Sequence, residues 1–294
     1  MNTYTLGLLS ALLGGSLWGF SGACGQFLFS NYAIEPSWLT ALRMSTAGLI
    51  LTLYSFFTHR EALKSIFNSA HDTIQLLKFA IPGVMLAQYT YLVAISHTNA
   101  GTATVLQYTM PVMILAYVCL TTGRKPAGSE LIAMALALAG VFIIATHGNP
   151  TTMVLTPEGL VWGLVSAVTM AMFTVLPRDL MRRYGSVPVV GSGMLVGGAI
   201  LSVPAGLWTY QPQLDAAGCF GLFGIVILGT VVAFTLYLTG VRLVGAVKTS
   251  LLASIEPVAA TALAVLWLGT DIVFIDLVGF AAIIAAVIIV SVKD

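Results

Sequence analysis

Runs of about twenty apolar residues alternate with short polar breaks along the whole chain, and ten such runs take up nearly all of its 294 positions. A hydrocarbon core about 30 Å thick needs roughly 20 helical residues to cross it, so the pattern predicts ten transmembrane helices. They fall at residues 6–29, 37–57, 73–95, 102–121 and 131–146 in the first half, and at 159–180, 187–210, 219–241, 247–268 and 272–291 in the second. The longest connection, residues 58–72, leaves no room for an extramembrane catalytic or ligand-binding domain. Whatever the chain does takes place inside the bilayer.

Composition agrees, with 58% hydrophobic residues, 8% charged residues and a mean hydropathy of +0.98, far from the roughly 25% charged residues of soluble domains. The few basic residues set the orientation. Of twelve Lys and Arg, Arg60, Lys64, Lys78, Arg124, Lys125, Arg178, Arg182, Arg183, Arg242 and Lys248 fall at alternate connections, and Lys293 at the C-terminus. The intervening connections carry none. Short loops rich in Lys and Arg stay in the cytoplasm, so both termini are expected there, in a multi-pass protein of the bacterial cytoplasmic (inner) membrane. Residues 1–5 lack a basic n-region and no cleavage site follows, so the first run is read as an uncleaved span. Cys24, Cys119 and Cys219 are isolated within predicted helices and suggest neither a disulfide framework nor a metal site.

Laying Pro257 on Pro111, an offset of 146 residues, aligns Gly83, Ala87, Tyr91, Leu92, Ala100, Leu106 and Leu120 with identical residues in the second half. At an offset of 152, Gly7-Leu8 meets Gly159-Leu160 and Pro36 meets Pro188. The chain is expected to be two five-helix units, residues 1–150 and 151–294. A unit with an odd number of spans must enter the bilayer from opposite sides in its two copies. The fold class expected is therefore an all-α polytopic membrane protein of two inverted five-helix repeats, a construction common in secondary transporters.

The segments AISHTNAGTATVLQYTMPVMILAYVCLTTG (94–123) and GVRLVGAVKTSLLASIEPVAATALAVLWLG (240–269) carry a further signal. Each has a short Ala- or Gly-containing linker, a small-residue helix, a Pro, a final apolar stretch and a Gly-capped turn. In this they resemble the two repeats of the EamA-type drug/metabolite transporter superfamily. The resemblance covers essentially the whole chain. It implies a bundle whose third, fourth, eighth and ninth helices, with the first and sixth, line a central cavity. The fifth and tenth would pack at the periphery, often at a homodimer contact. Their almost purely aliphatic sequences fit that position.

Candidate substrate contacts are the polar and aromatic residues at mid-depth, where an unsatisfied hydrogen-bonding group costs several kcal/mol. These are Trp18, Gln88, Tyr91, Gln107, Tyr108, Tyr237, Ser254 and Glu256. Helical spacing puts Gln88 and Tyr91 on one face, and Thr104, Tyr108 and Pro111 on another. Each residue also has a plainer reading. Tyr91 and Tyr237 are repeat equivalents that could simply pack, and Gln88 and Gln107 could be interhelical hydrogen-bond glue. Gly15 and Gly19, like Gly193 and Gly197, have the GxxxG spacing of closely packed helices.

Glu256 lies about ten residues into its span, roughly 15 Å deep. An intramembrane carboxylate is a functional candidate by default, suited to binding a proton or a cation. The alternative is a protonated side chain hydrogen-bonded to backbone freed by Pro257. Arg43 lies about 9 Å inside the outer edge and is read first as snorkelling outward, with pairing to Glu35 or recognition of a substrate carboxylate as alternatives.

Enzyme chemistry finds no support. There is no H-E-x-x-H, no Ser/His pair or paired aspartates at depth, and no P-loop. His59, His71, His97 and His147 sit at helix ends or in loops. No cofactor is implied, and nothing suggests nucleic-acid binding. The expected function is a secondary carrier for a small metabolite, an amino acid first, in the export direction. Carriage of an organic cation such as a quaternary amine is the nearest rival, and a non-transporting membrane scaffold or sensor is the alternative of another class.

Overall fold

The computed structural model describes residues 2–97, 100–108, 110, 114, 117, 120–146, 149, 156–268 and 274–292. Within them every regular element is helical. In chain order these are α1 (Thr3–Tyr32), α2 (Pro36–Thr58), α3 (Arg60–Asn68), α4 (Ala70–His97), α5 (Ala100–Gln107), α6 (Gly128–Thr146), α7 (Pro157–Val175), α8 (Arg178–Tyr184), α9 (Ser186–Ser202), α10 (Ala216–Val244), α11 (Ala246–Leu252), α12 (Glu256–Leu268) and α13 (Phe274–Val292). Among the described residues, six helical stretches are long and apolar enough to cross a membrane: α1, α2, α4, α10, the run Pro157–Tyr184 and the run Ala246–Trp267. Three shorter apolar helices join them, Gly128–Gly140, Ser186–Ser202 and Leu277–Ala286. Pro111, Cys119, His147 and Gly269 lie outside the described residues.

Local chemistry sets the helix ends. The Asn2 side chain accepts from the Tyr4 N–H at the start of α1, and Ala33 ends that helix in the left-handed conformation. Pro36 and Pro157 occupy the first turns of α2 and α7, where a missing N–H costs nothing. Thr156 and Asp215 cap α7 and α10 through the N–H groups of Gly159 and Gly218.

The connection at 58–72 is largely helical, since α3 forms there and buries Ile66. Three expected spans are corrected. The seventh span stops at Ser202 rather than 210, giving way to a turn that contains Pro204 and Gly206 with φ +60°. The sixth span breaks at Leu176-Pro177 before α8. The ninth tightens into a 3₁₀ turn at Ala253–Ile255 before α12.

Two π-helical segments have no forewarning in the hydrophobic pattern. They are Phe79–Met85 in α4 and Gly224–Val232 in α10. The offset of 146 carries the first onto residues 225–231, inside the second. Each π turn shifts the following residues around the helix axis, and such turns often sit beside functional sites. In α10 the Thr230 hydroxyl donates to the Ile225 carbonyl at 2.6 Å, occupying a backbone acceptor in the widened turn.

α1 packs along α10 and α12, while α7 packs along α4 and α5. α2 packs along α9, and α6 along α13. The outward surface is apolar. Leu120 and Leu266, equivalent by the same offset, are 85% and 83% exposed, a surface suited to lipid rather than to water.

Candidate functional site

Between the helices lies a partly open cavity of about 380 Å³, counting the space where it opens to solvent. Its walls are Trp18 and Ser21 from α1, Arg43 from α2, Ala87, Gln88 and Tyr91 from α4, Gln107 from α5, Met170 from α7, Phe234 from α10 and Glu256 from α12. The π segments end just before Ala87 and Ala233, so both helices re-form as they reach the cavity.

Small residues bring the backbones together here. A Cβ on Gly15 would lie 2.8 Å from the Ala253 carbonyl oxygen, and one on Gly19 would lie 2.7 Å from the Ala260 nitrogen. These glycines hold α1 against the 3₁₀ turn and α12, which places Trp18 in the same wall as Glu256. Gly193 and Gly197 likewise admit Phe79 and the Ala80 carbonyl of α4.

Of the eight residues expected from sequence, Trp18, Gln88, Tyr91, Gln107 and Glu256 line the cavity. Tyr108 stands behind Glu256, donating to the Ala253 carbonyl and reaching the Glu256 Oε2 at 3.0 Å. Pro257 has no N–H to offer the Ala253 carbonyl, which instead accepts from the Glu256 N–H across the 3₁₀ turn and from the Tyr108 hydroxyl. Tyr237 is fully buried under Trp18, with ring centroids 4.6 Å apart and its hydroxyl 3.1 Å from that of Thr174. It braces the wall without lining it. Ser254 is fully buried and turned to the Ser250 carbonyl of its own segment, outside the lining.

Sequence reasoning missed Ser21, Ala87, Met170 and Phe234 as lining residues and held Arg43 only as an alternative. Two of these had a signal, because the repeat offsets carry Trp18 onto Met170 and Gln88 onto Phe234. Arg43 is a correction. It does not snorkel and does not meet Glu35. It is 4% exposed, its Nη2 lies 3.4 Å from the Gln88 carbonyl, and its Nε has no partner.

Unmet hydrogen-bonding groups concentrate at this cavity. Among the described residues, seven buried side-chain polar atoms find no partner within the protein. Four of them are Trp18 Nε1, Arg43 Nε, Gln88 Oε1 and Gln88 Nε2. A buried unsatisfied group costs about 1–3 kcal/mol, so four on residues lining one cavity mark a surface suited to a polar ligand.

A charged clasp joins α4 to α8 at one end of the bundle. The Asp72 carboxylate, buried at the start of α4, accepts from Arg183 Nη1 and Nη2 at 3.0 and 2.7 Å, and from the Tyr184 hydroxyl at 2.7 Å. At the other end the Tyr32 hydroxyl donates to Asp215, and Trp38 Nε1 donates to the Tyr210 carbonyl at 2.9 Å. The Tyr32 hydroxyl and the helix-start N–H groups hold the Asp215 carboxyl below its ordinary range.

Comparison with known proteins agrees with this architecture. The model of the EamA-like transporter family matches twice, at residues 5–146 and 157–292. The inner membrane transporter YicL of Salmonella typhimurium is 35% identical over 99% of this chain and 97% of its own. The inner membrane transporter YedA of Escherichia coli K12 is 24% identical, over 87% of this chain and 81% of its own. A solved crystal structure superposes with a TM-score of 0.77 at 17% identity, covering 98% of this chain and 95% of that one, and so shares the fold. The chain is a membrane transporter and belongs to the EamA-like transporter family.

Proposed function

We propose that the protein is a secondary carrier that moves a small metabolite, an amino acid or close relative, out across the cytoplasmic membrane by alternating access. The observation that carries this reading is the cavity between the helices, with the unpartnered polar atoms of Trp18, Arg43 and Gln88 beside aromatic side chains. Such a site suits a compact ligand with several hydrogen-bonding groups.

In this reading ten helices form two inverted repeats. Two features support it: the double family match, and a packing scheme in which the α1 contacts with α10 and α12 are mirrored by those of α7 with α4 and α5. α2 with α9 and α6 with α13 are then the pairs that the pseudo-two-fold maps onto themselves. Both termini are cytoplasmic, and the α6/α13 pair carries a homodimer contact through exposed residues such as Ile132 and Ile284.

The Asp72–Arg183–Tyr184 clasp would then be the cytoplasmic gate. Asp72→Asn removes one of the two carboxylate oxygens that Arg183 engages and the charge that makes both bonds strong. With Cys24, Cys119 and Cys219 replaced by Ala and a reporter Ser21→Cys in the cavity, Asp72→Asn is expected to speed labelling by an impermeant thiol reagent from the cytoplasmic side. Unchanged labelling would make the clasp a stability feature and not a gate.

The carrier reading is tested in liposomes by counterflow of labelled amino acids and quaternary amines, with and without a pH gradient. Saturable amino acid exchange is expected. Exchange of amines alone would reassign the cavity to a cation held by Glu256 and aromatic faces, and silence across the panel would favour a scaffold or sensor.

A further inference from the structure

We propose that Arg43 and Glu256 are opposite poles of one binding site, so that the ligand is a zwitterion with its carboxylate on Arg43 and its ammonium on Glu256. The inference rests on the carrier reading and names the substrate class for that same cavity. Both residues line it and both are 4% exposed. They come from α2 and α12, and no ion pair joins them among the described residues. Arg43 retains an unpartnered Nε, and the Gln88 amide beside it is wholly unpartnered. The Tyr91 hydroxyl, fixed on Thr104 at 3.0 Å, comes from the same cavity lining as both charged groups.

An isolated buried charge is costly, and two separated ones of opposite sign are each relieved only by a partner of their own. A simple organic anion would meet Glu256 as a like charge, and a simple cation would meet Arg43. A net-neutral dipolar ligand satisfies both, with the guanidinium offering the forked geometry that a carboxylate takes. Gln88, with donor and acceptor both free, can serve either the carboxylate or an uncharged polar group next to it. Phe234, Met170 and Trp18 would then surround the substrate side chain. Bridging the poles also ties α2 to α12, so the ligand joins helices of the two halves.

The test is binding to the purified full-length protein of L-leucine and L-phenylalanine, each beside its methyl ester and its N-acetyl derivative. The free amino acids are expected to bind about 30-fold or more tightly than either blocked form, the usual loss when one partner of a buried charge pair is removed. Arg43→Gln should abolish the preference for acid over ester while leaving the preference for free over acetylated amine. Glu256→Gln should do the reverse, and Arg43→Lys should restore part of the acid preference. Arg43→Lys also serves as the reading if Arg43→Gln does not fold.

Methyl esters or tetraethylammonium binding as well as the amino acids would overturn the zwitterion site while leaving the carrier reading standing. So would an Arg43→Gln protein that still discriminates acid from ester. Absence of both binding and counterflow for every probe would instead bring down the carrier reading, and this inference with it.

Discussion

Glu256→Gln is expected to leave a folded protein whose uptake no longer responds to a pH gradient and whose apparent affinity for amino acids falls about 30-fold or more. The reason is a count of protons. Tyr108 has one hydroxyl hydrogen and two acceptors within reach, the Ala253 carbonyl and the Glu256 carboxyl. When the carboxyl carries its own proton it donates to Tyr108, which donates onward to Ala253, and both bonds are made. When it is ionised one bond weakens, and an ammonium group in the cavity takes up the freed charge. Proton and substrate thus compete for one carboxyl, which is the arithmetic of exchange. Glutamine keeps the size and a hydrogen bond to Tyr108 but can neither release a proton nor pair with a cation. The groups near Glu256 on neighbouring helices are the hydroxyls of Tyr91, Tyr108 and Tyr237, the Arg43 guanidinium lies elsewhere in the same cavity lining, and no histidine is among the lining residues. A gradient response that persists in Glu256→Gln would place the coupling on a group outside this set.

The distribution of charge along the sequence already separated spans from connections, because Lys and Arg are expelled from hydrocarbon. Helical spacing paired Gln88 with Tyr91, which do share the cavity wall. Depth alone singled out Glu256. What the sequence could not convey was which side of each helix faces inward. Membrane helices lack the clear apolar stripe of soluble ones, since lipid and protein interior are equally apolar. Ser254 and Tyr237 therefore looked as promising as Trp18, although one turns to its own backbone and the other hides beneath an indole. Arg43 was misjudged for a related reason. Distance from the membrane edge permits snorkelling, but only the packing of α2 against α9 fixes its direction, and that packing turns it inward. The π segments were also invisible, because an inserted residue leaves composition and hydropathy unchanged. Their coincidence under the repeat offset was nonetheless within reach, as were Met170 and Phe234 as the images of Trp18 and Gln88.

The α2/α9 contact is also where the largest loss of stability is expected, in Gly48→Leu. A Cβ on Gly48 would lie 2.6 Å from the Leu195 Cα and 2.7 Å from the Met194 carbonyl carbon, so the obstacle is backbone on the facing helix and not a side chain that can turn away. The contact is close from both sides. A Cβ on Gly198 would meet the Ser45 nitrogen at 2.6 Å, and one on Gly191 the Leu51 Cβ at 2.8 Å. Overpacking of an interior costs about 1–3 kcal/mol and sometimes more, and a clash of main chain against main chain belongs at or above the top of that range. Gly48→Ala should already be measurably destabilising, since its only added atom is the offending one. Gly123→Ala provides the contrast. A Cβ there would touch nothing within 4 Å, and only its φ of +66° opposes the change, a local strain of about 1–2 kcal/mol. Thermal unfolding in detergent should therefore rank Gly48→Leu below Gly48→Ala, with Gly123→Ala nearest the parent. Any folded Gly48→Leu protein should also bind amino acids weakly, because α2 carries Arg43 and moves outward with it. A Gly48→Leu protein that melts with the parent would mean that α2 and α9 are not in backbone contact, and the inward position of Arg43 would lose its support.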